Sequence, residues 1–256
     1  MTVVLEHLPF ETETVIGSRA RMGLISLATD YTIEHEYRTV LQHLPGVALY
    51  TARIANEVTV TPETLADMAR RLTPTAETLL PGDRLDVVAY GCTSASCVIG
   101  ADRVATAIHQ AKPGVAVTDP ITAAMAAFRA LGARRIGVLT PYTRDVNAQV
   151  QSTIEAGGFE VPVFGSFNEP NDPTVAAITE ASLEAALARV AEAAEVDMLF
   201  CSCTSIRLLD AIERLEGRFG LPIASSNSAM IWHALRLAGV GGELAGFGAL
   251  FRQPGM

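Results

Sequence analysis

The tripeptide Cys-Thr-Ser occurs twice in the 256-residue chain, at Cys92-Thr93-Ser94 and at Cys203-Thr204-Ser205. An ionised thiol is a strong nucleophile and base, and the hydroxyls and backbone N–H groups after each cysteine suit a carboxylate. Two thiols facing each other across a small carbon acid can remove a proton from one side and return one from the other. That chemistry is racemisation or isomerisation without a cofactor, with Cys92 and Cys203 as the reacting pair. A lone buried cysteine is most simply a core residue. Duplication at matching places is what lifts this pair above that reading. Cys97 and Cys201 have no counterpart in the other half and are read as structural.

Two such turns need a scaffold that presents them alike. Short apolar runs predict strands over Arg21–Leu27, Val47–Arg53, Leu85–Tyr90, Val115–Thr118, Arg135–Leu139, Glu160–Phe164, Asp197–Cys201 and Pro222–Ser225. Helical patterns between them cover Thr61–Leu80, Ser96–Gln110, Ile121–Leu131, Val146–Ala156, Pro173–Ala194 and Ser205–Gly217. Pro62 and Pro173 suit first-turn positions behind the capping residues Thr61 and Asp172. The alternation predicts an α/β protein with parallel sheets. Arg21-Met22-Gly23-Leu24-Ile25 resembles Arg135-Ile136-Gly137-Val138-Leu139, and Ala127–Gly132 echoes Ala234–Gly239. Together with the cysteine turns, these matches predict two pseudo-symmetric, flavodoxin-like halves of four strands each, with the site in the cleft between them. Each cysteine then follows a third strand and opens a helix, whose dipole would favour thiolate.

Composition narrows the function. Lys and Arg number 19 against 28 Asp and Glu, a net charge of −9, which argues against nucleic acid and anionic membranes as partners. No apolar run approaches the roughly 20 residues of a membrane span. The first 18 residues carry Glu6, Glu11 and Glu13 and lack a secretion signal. Four cysteines without a scaffold spacing fit a cytoplasmic protein. Cys201-Ser202-Cys203 has no second cluster at zinc spacing, so no metal is expected. The glycines from Gly239 to Gly248 follow a helix and no ribose-binding acid follows them, so no dinucleotide is expected. A cysteine–histidine hydrolase would need an imidazole beside a thiol. His35 is the best placed, though a solvated helix histidine is the simpler reading. The oligomeric state stays open, a homo-oligomer included.

Several segments carry a resemblance to a known family. They are Gly23-Leu24-Ile25 leading to Thr29–Glu34, then Gly91-Cys92-Thr93-Ser94-Ala95-Ser96 and Leu139-Thr140-Pro141-Tyr142 with Asn147. Phe167-Asn168 with Asn171-Asp172, and Cys203-Thr204-Ser205-Ile206-Arg207, complete the set. The chain resembles the Asp/Glu/hydantoin racemase superfamily, closest to the branch of maleate cis–trans isomerase, arylmalonate decarboxylase and ectoine-utilisation racemase-like proteins. The resemblance implies a cofactor-independent enzyme acting on a small carboxylate. Cys92 would be nucleophile or base and Cys203 the acid, with Thr93, Ser94, Tyr142, Asn171, Thr204 and Ser205 binding substrate. It also implies a discontinuous first half, 19–122 plus 228–256, a second half, 123–227, and an N-terminal extension, 1–18. The decarboxylase type has only the second-half cysteine, so Cys92 favours isomerisation.

One position departs from the pattern. Where maleate isomerases place an asparagine in the first loop, this chain has Asp30. A carboxylate there would repel a dicarboxylate or pair with a substrate cation, which favours an amino acid or ectoine derivative. Asp30 equally suits a cap for the helix that follows. Both readings stand at the level of sequence.

Overall fold

The computed structural model describes residues 2–57, 64 and 67–254. All eight predicted strands are present: β1 (Ala20–Leu27), β2 (Val47–Ile54), β3 (Val87–Gly91), β4 (Ala116–Thr118), β5 (Arg135–Thr140), β6 (Glu160–Ser166), β7 (Met198–Cys201) and β8 (Ile223–Ser225). They form two four-stranded sheets with the orders β2-β1-β3-β4 and β6-β5-β7-β8, in which every neighbouring pair is parallel. Parallel neighbours need crossover connections, and helices supply them. Both faces of such a sheet are covered, which is why β3 and β7 read as unbroken apolar runs and are buried throughout. The two halves thus repeat one plan, with each cysteine turn after its third strand.

The helices are α1 (Ile33–Leu41), α2 (Ala69–Glu77), α3 (Thr93–Ile99), α4 (Ala101–Ala111), α5 (Pro120–Ala130), α6 (Arg144–Ala156), α7 (Asp172–Ala176), α8 (Glu180–Ala193), α9 (Ile212–Phe219) and α10 (Ser226–Leu237). Three predicted helices need correction. The helix expected over Ser96–Gln110 is two, α3 and α4, because Gly100 adopts φ +90° between them. The one expected over Pro173–Ala194 is α7 and α8, the second starting afresh where Thr179 caps Ser182 N. Residues 202–208 form no helix, so the helix expected from Ser205 begins only with the 3-10 turn Leu209–Ala211 and α9. The start of the helix expected from Thr61, with Pro62, lies outside the described residues apart from residue 64.

Packing joins the halves. One face of the first sheet, with Met22, Leu24, Val87 and Ala89, shares a continuous core with the second half. Its other face, with Ile25, Val88 and Tyr90, packs against Leu72 of α2 and against Val104 and Ile108 of α4. The helix after β8, α10, returns to lie against β3, β4, α1 and α5. His233 of α10 shares a 2.8 Å hydrogen bond with Thr118 of β4.

A buried carboxyl group holds this junction. Glu36 of α1 is 2% exposed, and its Oε1 accepts from the backbone N–H groups of Leu208 and Leu209, each at 2.9 Å. Asn227 Nδ2 of α10 donates to Glu36 Oε2 and to the Thr204 carbonyl oxygen, both at 2.8 Å. The amides that a longer helix would have satisfied are therefore taken by a side chain from the other half. Burial pushes the Glu36 carboxyl from an ordinary 4.5 up to about 7, against the pull of those donors.

That shift fixes a direction. The folded protein holds the Glu36 proton to higher pH than the unfolded chain, so stability should fall as pH rises from about 4.5 to 7. Urea midpoints across this range should decline in the wild type and flatten in Glu36→Gln. Glu36→Ala, which strands the two amides, should cost about 3 kcal/mol.

Candidate active site

Every first-half and second-half loop singled out above leaves the carboxyl end of a strand. Cys92 follows β3, Cys203 follows β7 by two residues, Asp30 follows β1 and Tyr142 follows β5. In open parallel sheets this is the end at which ligands bind. The carboxyl ends of the two sheets face each other, and hydrogen bonds cross between them. Thr32 Oγ1 donates to the Ser205 carbonyl oxygen (2.7 Å), Thr204 Oγ1 to that of Gly91 (3.5 Å), and Thr29 Oγ1 to Asp172 Oδ2 (2.6 Å). Gly91 sets how closely the first cysteine approaches α1. A Cβ there would lie 2.6 Å from Ile33 Cδ1.

Cys92 and Cys203 share one buried space with Tyr142. The Tyr142 hydroxyl lies beside the Cys203 thiol, and the charges of both thiols reach it. Cys92 stands at the N-cap of α3 without a side-chain cap, and its sulfur lies 3.7 Å from Ser94 Oγ. Cys92, Cys203 and Tyr142 are 3%, 4% and 4% exposed, so the site is closed over.

That closure corrects one expectation. The thiols are not held as thiolates by helix dipoles: burial pushes Cys92 up to about 12 and raises Cys203 further. No helix begins at Cys203, so only Cys92 has a dipole to draw on. Asp172 and Asp30 add to the shift at both sulfurs, since a nearby negative charge opposes ionisation.

The other expected residues divide. Thr204 lies close enough to the Asp30 carboxyl to lower its pKa. Ser205 Oγ donates to Asp172 Oδ1 (2.8 Å). The Thr93 hydroxyl pairs with Ser226 Oγ of α10 (2.8 Å). Asn171, and not Asp172, caps α7, its Oδ1 accepting from Thr174 N and Thr174 Oγ1. Asp172 instead gives its carboxyl to the hydroxyls of Thr29 and Ser205, near enough to the thiols to act on both electrostatically. It went unnoticed in the sequence because an acid before proline reads as a helix start. Asp30 divides its two oxygens: Oδ1 accepts from the amides of Thr32 and Ile33 (2.7 and 2.8 Å), while Oδ2 is buried with no hydrogen-bond partner among the described residues. Burial raises its pKa to about 6.

The remaining signals lie apart. Cys97 and Cys201 are free and buried, Cys201 within β7. His35 is on the exposed side of α1. No group of three or more His, Cys, Asp or Glu able to hold a metal occurs among the described residues, nor any helix long and apolar enough to cross a membrane.

Known proteins share this arrangement of sheets. The maleate isomerase of Nocardia farcinica is 30% identical over 91% of this chain and 96% of its own. The arylmalonate decarboxylase of Bordetella bronchiseptica is 32% identical over 75% of this chain and 78% of its own. A crystal structure of the Nocardia farcinica maleate cis–trans isomerase, a cysteine-to-serine mutant with a covalently bound succinylcysteine intermediate, superposes with a TM-score of 0.81. It is 27% identical and covers 91% of this chain and 98% of that one. The arylmalonate decarboxylase family profile matches residues 44–251. With two like halves, a cysteine after the third strand of each, and a family profile and relatives matching along most of the chain, the protein belongs to the arylmalonate decarboxylase family.

Proposed function

We propose that the protein is a cofactor-independent isomerase or racemase of a small carboxylic acid, with Cys92 and Cys203 as the paired acid and base. The observation that carries this reading is the meeting of the two Cys-Thr-Ser turns, joined where Thr204 donates to the Gly91 carbonyl oxygen and Thr32 to that of Ser205, with Cys92, Cys203 and Tyr142 all buried. Thr93, Ser94, Tyr142, Asn171, Thr204 and Ser205 are the side chains assigned to substrate.

Two courses fit this pair. In racemisation, the thiolate of one cysteine takes the α-proton and the thiol of the other protonates the opposite face, so the pair as a whole neither gains nor loses a proton. In cis–trans isomerisation, the Cys92 thiolate adds to one alkene carbon while Cys203 protonates its neighbour. The central bond becomes single and rotates. Cys203 then takes back a proton, the carbon–sulfur bond breaks, and the trans acid leaves with Cys92 again a thiolate. The covalent succinylcysteine in the Nocardia farcinica enzyme supports the second course for this chain. The Ser94 hydroxyl beside Cys92 and the Tyr142 hydroxyl beside Cys203 are donors that would favour each thiolate once it forms.

The second reading is decarboxylation of a malonate, supported by the family profile over residues 44–251. It needs only one thiol, Cys203, to protonate the enolate left after carbon dioxide departs. The presence of Cys92 in the same buried space favours the two-thiol reactions.

Proton NMR in deuterium oxide separates these readings when maleate, amino acids and a phenylmalonate are offered as substrates. Cys92→Ala and Cys203→Ala should each lower isomerisation or α-deuteration by at least about 10³-fold. Survival of turnover in Cys92→Ala, with loss of carbon dioxide, would instead identify the decarboxylase. The thiols themselves should be quiet without substrate. With Cys92 at about 12, roughly one molecule in 10⁵ is thiolate at pH 7. Alkylation by iodoacetamide should therefore be slow at neutral pH and rise about tenfold per pH unit toward pH 10.

A further inference from the structure

The charge of the substrate can be read from the two carboxyl groups beside the thiols, granted the two-thiol reading above. Asp30 and Asp172 reach the site from opposite halves and are 2% and 5% exposed. Each acts electrostatically on both sulfurs, and Asp172 acts on Asp30 itself, so all four groups share one space. Asp172 is fixed in place by two hydroxyls, Thr29 Oγ1 on Oδ2 and Ser205 Oγ on Oδ1. Asp30 is fixed through Oδ1 alone.

Helix capping does not account for Asp30 as a whole. The cap uses Oδ1, and an asparagine would supply the same acceptor without a second oxygen to bury. The second oxygen is enclosed and makes no hydrogen bond among the described residues, since the nearby Thr204 hydroxyl donates to the Gly91 carbonyl oxygen instead. A buried carboxyl oxygen without a donor or counter-charge is costly, by several kcal/mol where the group is ionised. Neither Asp30 nor Asp172 takes part in an ion pair among the described residues. Arg53 approaches Asp30, but its guanidinium donates to the Asp30 and Ala28 carbonyl oxygens and pairs with Glu34. The space between the thiols therefore contains two acids and no basic side chain paired to them.

We propose that the substrate carries a protonated nitrogen, an ammonium or amidinium group, which seats against Asp30 Oδ2 with Asp172 as the second negative charge, and that the site rejects dicarboxylates. A cationic group supplies the donor that Oδ2 lacks and offsets two like charges. A dicarboxylate would bring a third or fourth negative charge into the same enclosed space, where like-charge contacts cost several kcal/mol. Asp30 and Asp172 are thus specificity-determining residues, and the reacting carbon is one that lies next to both a carboxylate and a cationic nitrogen or close to them.

Isothermal titration of the full chain tests this with four probes: 2-aminobutyrate, guanidinoacetate, maleate and phenylmalonate. The wild type should bind at least one of the two cationic acids about 30-fold more tightly than either dianion. Asp30→Asn keeps the cap and should shrink that ratio by about tenfold or more, and Asp172→Asn should do the same. A dianion binding as tightly as the cationic acids, no binding by either cationic acid, or an unchanged ratio in a folded Asp30→Asn protein would overturn the proposal. Should neither variant fold, the wild-type ratio alone decides it. Its failure is separable from failure of the two-thiol reading. Maleate turnover lost in Cys92→Ala would overturn the charge assignment and leave the thiol pair standing. A cationic preference with no cysteine-dependent turnover of any probe would support the charge assignment and overturn the thiol chemistry.

Discussion

The Glu36 carboxyl group is the constraint on which the site depends. From the first half it accepts two backbone amides of the Cys203 loop, and through Asn227 it ties that loop to α10. Without a buried acceptor at this point, residues 203–209 would have to find their own hydrogen bonds, and a helix from Ser205 is the local solution. The carboxyl from α1 removes that need and leaves the loop open. As a result Ser205 reaches Asp172, and Thr204 reaches the Gly91 carbonyl oxygen. One buried acid thus converts an ordinary βα turn into half of a two-sided site. The arrangement carries an electrostatic cost, visible in a Glu36 pKa raised to about 7.

The same low-dielectric enclosure governs the chemistry. Burial is the leading cause of the raised pKa at Cys92, Cys203, Tyr142 and Asp30 alike. Hydrogen-bond donors oppose it at each sulfur but do not overcome it. A closed site therefore holds neutral thiols. Enclosure also strengthens every donor aimed at a developing thiolate, so what keeps the resting site quiet also favours the reaction once it starts.

Much of the fold was legible because it repeats. Eight apolar runs in the same order in both halves, and a tripeptide recurring after the third strand of each half, specify two like α/β units by local pattern alone. The errors fell where a local rule met a distant partner. Gly100 breaks a helix whose apolar pattern runs through it, because the chain takes a positive φ there. Asp172-Pro173 has the look of a cap and first turn, yet Asn171 makes the cap and releases Asp172. Thr29 and Ser205, which hold the Asp172 carboxyl, lie 143 and 33 residues from it in sequence.

By itself, then, the sequence determined the secondary-structure order, the duplication and the identity of the two candidate thiols, since strand and helix patterns and turn chemistry are local properties of neighbouring residues. Tertiary structure alone decided that the thiols are protonated at rest, that Asp30 divides its oxygens between a cap and an unpartnered position, and that Asp172 joins it. Those outcomes depend on burial and on which charges meet across the two halves. Electrostatic energy in a low-dielectric interior is set by distances between residues far apart in the chain, and no local pattern encodes those distances.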